Sequence, residues 1–378
     1  MRVFCFIALT MLTQPLVAQH GVTFKLILPE KYKSITSRYF LSLEQNHWKT
    51  GDTAYIFKKI NGVYSLSFNY DGKYFLQYKA NRGNDNSYES DFEGFGIQNR
   101  MLNVISDTVV NIHVEGWADL IKRKHTASKN VRILFDSLFV KSLKTKKQIS
   151  IYLPPSYLKS KKKYPVIYMN DGQVLFDKAY TDDGNEWNLD EVMDTLNTIK
   201  KGEFIIIGIS SAENRFPEYS PYETNKLKNP KGKLYLSFII NELLPYINKN
   251  FRTKTGPENT AIGGSSMGGL ISYYAAIEYP AIFGSAAVFS PAYWNSISVD
   301  SLKKETINKT GLIKSKIFLY GGGSEGVAGL PSTLIELQQI LSKNPSIKTK
   351  LVINDIGKHE DKYWTQPFKE FVLWLQEK

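Results

Sequence analysis

From Val131 to the end of the chain, short apolar runs alternate with segments of helical spacing, and this alternation most narrows what the sequence can fold into. The runs are PVIYMND (165–171), FIIIGIS (204–210), NTAIGG (259–264), AAVFS (286–290), KIFLYGG (316–322) and KLVIND (350–355). Each is close to continuously hydrophobic, so the strands it predicts need cover on both faces. Between and after them lie LYLSFIINELLPYINKNF (234–251), SMGGLISYYAAIEYP (266–280), STLIELQQILSKN (332–344) and PFKEFVLWLQEK (367–378), which read as helices. Strands separated by helices give a largely parallel sheet with helices on both sides, an α/β class. A hairpin, VRILFDSLFVKS (131–142) followed by QISIYLP (148–154), leads into it.

The preceding hundred residues have another texture. VTFKLILP, SRYFLSLE, TAYIFKKI, VYSLSFNY, KYFLQYKA and DTVVNIHVEGW alternate with period two, and Asn61-Gly62 and Asp71-Gly72 mark tight hairpins. Strands at such spacing predict an all-β sandwich over 19–118. The polar stretch DLIKRKHTASKN within 119–130 reads as a linker, leaving 131–378 as the α/β domain. At 378 residues, two domains are the natural division.

Residues 1–18 combine a charged start at Arg2, an apolar run from Val3 to Leu12 and a small-residue ending at Ala18. This is the anatomy of a signal peptide cleaved near Ala18, and it predicts a secreted or periplasmic protein. No later run is long enough for a membrane span. The single cysteine, Cys5, lies inside the leader, so the mature chain has no disulfide and no thiolate chemistry. The net charge of +12 comes mostly from lysines, as in Lys161-Lys162-Lys163, without the arginine forks and interleaved aromatics of a nucleic-acid surface. A solvated basic face is expected.

Within this frame one motif carries chemistry. Gly264-Ser265-Ser266-Met267-Gly268 fits G-x-S-x-G, with an apolar strand before it and a helical pattern after it. The glycines allow a strand-to-helix turn too tight for side chains, and the turn lifts Ser266 to a helix N-terminus as a candidate nucleophile. A serine hydroxyl needs a base. The only histidine downstream is His359, in DIGKHEDKYW, after the last strand. An acid to orient it is expected in the loop after KIFLYGG, where Glu325 lies; Asp355 is the alternative. Donors for a developing oxyanion are expected from the backbone N–H of Met267 and from that of Gln173, after the strand PVIYMND. This chemistry calls for no metal and no cofactor.

Together these residues resemble the putative-esterase family of α/β-hydrolases, which includes feruloyl, acetyl-xylan and enterochelin-type esterases and the mycolyltransferases. YMNDGQVLFD (168–177), EWNLDEVMD (186–194), ISSAENRFPEYSP (209–221), FSPAYW (289–294), LYGGGSEG and GKHEDKYW match its motifs in order and spacing. The resemblance spans roughly Val131 to Gln376 and implies an α/β-hydrolase fold behind the N-terminal sandwich. It supports Gln173, Met267, Glu325 and His359 in the roles given above. Asn170 departs from the family's common histidine and is expected to flank the pocket, with Tyr293 and Trp294 as its walls. The N-terminal region resembles a starch-binding or early-set module, which implies glycan binding through aromatics; Trp48 and Trp117 are its candidates. The resulting expectation is a serine ester hydrolase acting on feruloyl, acetyl-glycan or siderophore esters. An acyltransferase with the same triad and a non-catalytic glycan-binding protein are the alternatives.

Overall fold

The computed structural model describes residues 19–377, except 72–74, 213, 225–226, 294–298 and 328. The expected leader and Trp294 lie outside the described residues. Contacts group the chain into two compact units, 1–124 and 125–378.

In the first unit the strands are β1 (His20–Ile27), β2 (Phe40–Leu43), β3 (Lys58–Ile60), β4 (Val63–Tyr70), β5 (Leu76–Asn81), β6 (Glu89–Ser90), β7 (Arg100–Leu102), β8 (Thr108–His113) and β9 (Gly116–Trp117). They form a four-stranded sheet, β3-β4-β1-β8, a three-stranded sheet, β2-β5-β7, and the short pair β6-β9. Alternation explains the layering. Val22, Phe24 and Leu26 from one sheet and Leu41, Leu43, Leu76 and Tyr78 from the other share a single core. Asn61 and Gly62 both take positive φ, 49° and 82°, as a two-residue β3–β4 hairpin requires. The expected strand over TAYIFKKI is mostly absent. Asp52 Oδ1 accepts the Ala54 N–H at 3.1 Å, and this cap turns Thr53–Tyr55 into a short helical turn. Trp117 is fully buried and stacked on Tyr39 at 5.3 Å, so it belongs to the core and offers no platform for a sugar. Trp48 is half-buried.

The second unit is built on eight strands: β10 (Val131–Val140), β11 (Thr145–Tyr152), β12 (Val166–Asn170), β13 (Ile205–Ile209), β14 (Thr260–Ser265), β15 (Ser285–Phe289), β16 (Lys316–Gly322) and β17 (Lys348–Asn354). Their order is β10-β11-β13-β12-β14-β15-β16-β17. The β10–β11 hairpin joins antiparallel to β13, and the six strands from β13 to β17 run parallel. Side chains divide by parity between the two faces. Val166, Tyr168, Ile205, Ile207, Ile262, Val288 and Leu319 pack on one side, with the helices Met267–Glu278 and Leu330–Leu341. Ile167, Met169, Ile206, Ala261, Phe289 and Phe318 pack on the other, with Leu189–Thr198 and Thr365–Leu375. Burial on both faces is why these runs are continuously apolar. The connections β14 to β17 leave their turns at one edge of the sheet, beyond the carboxyl ends of the strands, where ligands of open α/β sheets bind.

The stretch expected as a linker is not uniform. Residues 125–130 belong to the second unit, where Ser128 N–H donates to Asp190 Oδ2 at 2.6 Å and Asn130 Nδ2 to Asp194 Oδ1 at 2.8 Å.

Candidate active site

Ser266 sits between β14 and the helix Met267–Glu278, with φ 55° and ψ −122°. A non-glycine residue there stores strain of about 1–3 kcal/mol and persists only where its surroundings fix it. Its N–H donates to the Phe289 carbonyl at 3.0 Å, and its own carbonyl accepts from Ala292 and Leu270 at 3.0 Å each. The flanking glycines leave room for the turn. A Cβ on Gly264 would meet Asn170 Cβ at 3.0 Å, and one on Gly268 would meet Asp171 Oδ2 at 3.0 Å. The elbow is thus pressed against the end of β12.

His359 follows β17 and Glu325 follows β16, so both lie at the sheet edge that carries Ser266. His359 Nδ1 is 2.8 Å from Glu325 Oε2. The carboxylate is 1% exposed and the imidazole 29%. The other carboxylate oxygen, Oε1, accepts from Ser290 Oγ at 2.5 Å and from the Gly322 N–H at 2.6 Å. Ser290 Oγ in turn accepts from Trp364 Nε1 at 2.9 Å, and the Trp364 ring stands edge-on to His359 at 5.2 Å. Glu325 therefore presents one oxygen to the imidazole, while Ser290 and the Gly322 N–H hold the other and Trp364 steadies Ser290. Asp355 is exposed, and its backbone carbonyl accepts from Ser324 Oγ.

Met267 is the first residue of its helix, so its N–H has no intrahelical acceptor. Gln173 is the second residue of the turn Gly172–Val174, whose N-terminal amides are free in the same sense. β12 and β14 are adjacent, with Met169 opposite Gly263, and this brings the two loops together. The Gln173 side chain points elsewhere: its Nε2 donates to Ser211 Oγ at 3.0 Å and its Oε1 accepts the Ser211 N–H at 3.1 Å.

Two of the pocket-wall expectations, Asn170 and Tyr293, need correction. Asn170 is 1% exposed, and its amide is consumed internally: Nδ2 reaches Gly263 O, Gly268 O and Ser272 Oγ, and Oδ1 accepts from Tyr235 Oη at 2.5 Å. It braces the elbow from below. Tyr293 is 2% exposed within the core, edge-on to Tyr273 at 6.0 Å, and burial holds its phenol well above the usual range. Sequence reasoning missed Ser290 and Trp364 as supports of the acid, and it quoted Arg215, Glu218 and Tyr219 without assigning them a role. No short-range pattern announces a partner that lies on a distant element. Among the described residues, no group of three or more His, Cys, Asp or Glu side chains is arranged to hold a metal ion.

The family model described as "Putative esterase" matches residues 140–377. The chain belongs to that family. Its relatives include the uncharacterized protein YbbA of Bacillus subtilis, 28% identical over 61% of this chain and 92% of that protein. A second is an endo-1,4-beta-xylanase/feruloyl esterase of Xylanibacter ruminicola, 25% identical over 57% of this chain but only 27% of that protein. Among solved structures, a ferulic acid esterase superposes with TM-score 0.52 at 22% identity, covering 65% of this chain and 98% of that one. The enterobactin esterase FES of Shigella flexneri, solved with enterobactin, gives 0.53 at 16% identity over 94% of this esterase-family chain and 93% of its own. Both likenesses establish the α/β-hydrolase fold.

Proposed function

We propose that this esterase-family chain is an exported serine hydrolase of carboxylic esters, with Ser266 as nucleophile, His359 as base and Glu325 as the acid that orients it. Ser266 Oγ attacks the ester carbonyl while His359 Nε2 takes its proton, and the carbonyl oxygen becomes an oxyanion facing the N–H groups of Met267 and Gln173. Collapse expels the alcohol, which receives the proton from His359. Water, deprotonated by the same imidazole, then releases the acid and restores Ser266. Glu325 holds the Nδ1 proton throughout and stabilises the imidazolium.

The observation that carries this reading is the His359–Glu325 contact of 2.8 Å at the sheet edge bearing the strained Ser266. The imidazole is 29% exposed, so water can reach it to release the acyl group. The substrate classes suggested by the relatives, feruloyl and siderophore esters, enter as proposals, as do export by the leader and glycan binding by the first unit. The test is turnover of p-nitrophenyl acetate and a panel of feruloyl, acetyl-glycan and catechol esters by wild type and Ser266→Ala. Loss of turnover by a factor of about 10³ or more with an unchanged melting temperature is expected. Undiminished turnover in the variant would remove Ser266 from the mechanism.

A further inference from the structure

The loop that presents Gln173 starts from an unusual residue. Asp171 has φ 57° and ψ 47°, left-handed values that L-residues other than glycine hold at a cost, and it is 4% exposed. One short helix, Arg215–Tyr219, accounts for most of what keeps it there. Arg215 Nη1 lies 2.5 Å from Asp171 Oδ2, and the Tyr219 hydroxyl accepts the Asp171 N–H at 3.2 Å. The helix is itself anchored. Glu218 pairs with the buried Lys147 at 2.5 Å, and Lys147 Nζ also donates to the Ser210 carbonyl at 2.8 Å. Ser211, in the same stretch, holds the Gln173 side chain by two hydrogen bonds.

The loop has little freedom on its inner side. A Cβ on Gly172 would lie 2.5 Å from the Gly208 carbonyl carbon, and the Asp171 carboxylate abuts Gly268 in the elbow. The turn is therefore closed against β13 on one side and against the elbow on another. A carboxylate this buried needs a counter-charge, and Arg215 supplies it.

We propose that Arg215 and Asp171 form a positioning pair, which through the left-handed turn at Asp171 aims the Gln173 N–H at the oxyanion. Neither residue touches the reacting atoms. The inference rests on the ester-hydrolase reading, since it names what holds that site's second donor. It predicts a defect in transition-state stabilisation with ground-state binding spared, because the donor engages only once charge has developed.

The experiment compares wild type, Arg215→Ala and Arg215→Lys in steady-state hydrolysis of p-nitrophenyl acetate, with hydrogen–deuterium exchange of the peptide spanning 168–176. Arg215→Ala is expected to lower kcat about 100-fold with KM within about twofold, the scale set by misplacing a catalytic group by an ångström. Faster exchange confined to that peptide should accompany it. Arg215→Lys should recover part of the lost kcat, since it restores the charge without the planar fork. Wild-type kcat and unchanged exchange in Arg215→Ala would overturn the proposal, and so would a rise in KM with kcat intact. Should Arg215→Ala fail to fold, Arg215→Lys decides: reduced kcat at constant KM supports the pair, and wild-type kcat overturns it. If wild type itself hydrolyses no ester, the function reading fails, while the exchange measurement still tests whether the pair orders the loop.

Discussion

At the scale of single residues, the environment of Asp361 makes a stability prediction. It lies two residues past His359, and its Oδ1 accepts from Trp187 Nε1 at 2.8 Å. Burial raises its carboxyl to about 6, with Asp183 and Asp171 adding to the effect and the Trp187 hydrogen bond and Arg215 opposing it. The folded protein thus holds this proton more tightly than the unfolded chain does. Below about pH 4 both states are protonated, and the site has no effect on stability. Between pH 4 and 6 the unfolded chain loses its proton first, so the fold loses stability as pH rises, and the full penalty is present above pH 6. It amounts to no more than about 3 kcal/mol, taking 1.4 kcal/mol for each tenfold change in acidity. Asp361→Asn keeps an acceptor for Trp187 and removes the titration. Its melting temperature should exceed that of wild type at pH 7.5, with the difference closing by pH 4. A difference independent of pH would refute this account.

Elements carry a second prediction, at the end of β12. Asn170 connects the strand to Gly263, Gly268, Ser272 and Tyr235, all of them buried groups. Asn170→Ala leaves several of these without a partner, at about 1–3 kcal/mol for each group that stays dry. Urea unfolding should show a loss of about 3 kcal/mol or more at constant slope. A loss below about 1 kcal/mol would mean that water satisfies the vacated groups. The same residue marks what could be read in advance. Strand positions were legible because burial on two faces writes a continuous apolar run, and the elbow was legible because only glycine fits beside Ser266. The order of Ser266, Glu325 and His359 along the chain was likewise visible. Which face Asn170 points to was not, since a fully buried strand lacks the alternation that would tell, and Tyr293 lies past the end of β15, where no strand period applies. Strands β6 and β7 escaped notice for a related reason: two or three residues carry too little pattern, and both lie in polar sequence. Ser290 and Trp364 became visible only once the sheet brought β15, β16 and the last helix together.

At the scale of the whole chain, the question is where the hydrolase unit begins. The two hydrophobic clusters that flank the large sheet draw only on residues from Val131 onward, and the sandwich core draws only on residues up to Trp117. Each unit therefore has the apolar interior it needs to fold alone. The polar segment just before Val131 nonetheless belongs to the second unit. His125 Nδ1 is 2.7 Å from Asp177 Oδ2, Thr126 Oγ1 donates to Glu186 Oε1 at 2.6 Å, and the Ser128 N–H donates to Asp190 Oδ2. Asn130 completes the series on Asp194. Four acidic groups around the helix Leu189–Thr198 thus receive donors from four residues of a six-residue segment that resembles a tether in sequence. Hydrogen bonds to charged groups contribute about 1.5–3 kcal/mol each, so the segment should stabilise the fold by about 4 kcal/mol or more. A chain beginning at Lys124 is expected to unfold in one cooperative transition and to hydrolyse p-nitrophenyl acetate at the rate of the full protein. A chain beginning at Val131, although it keeps every strand of the sheet and every residue of the proposed triad, should unfold at markedly lower urea concentration. Equal midpoints for the two chains would show that water replaces the segment at no cost, and the boundary would then move to Val131.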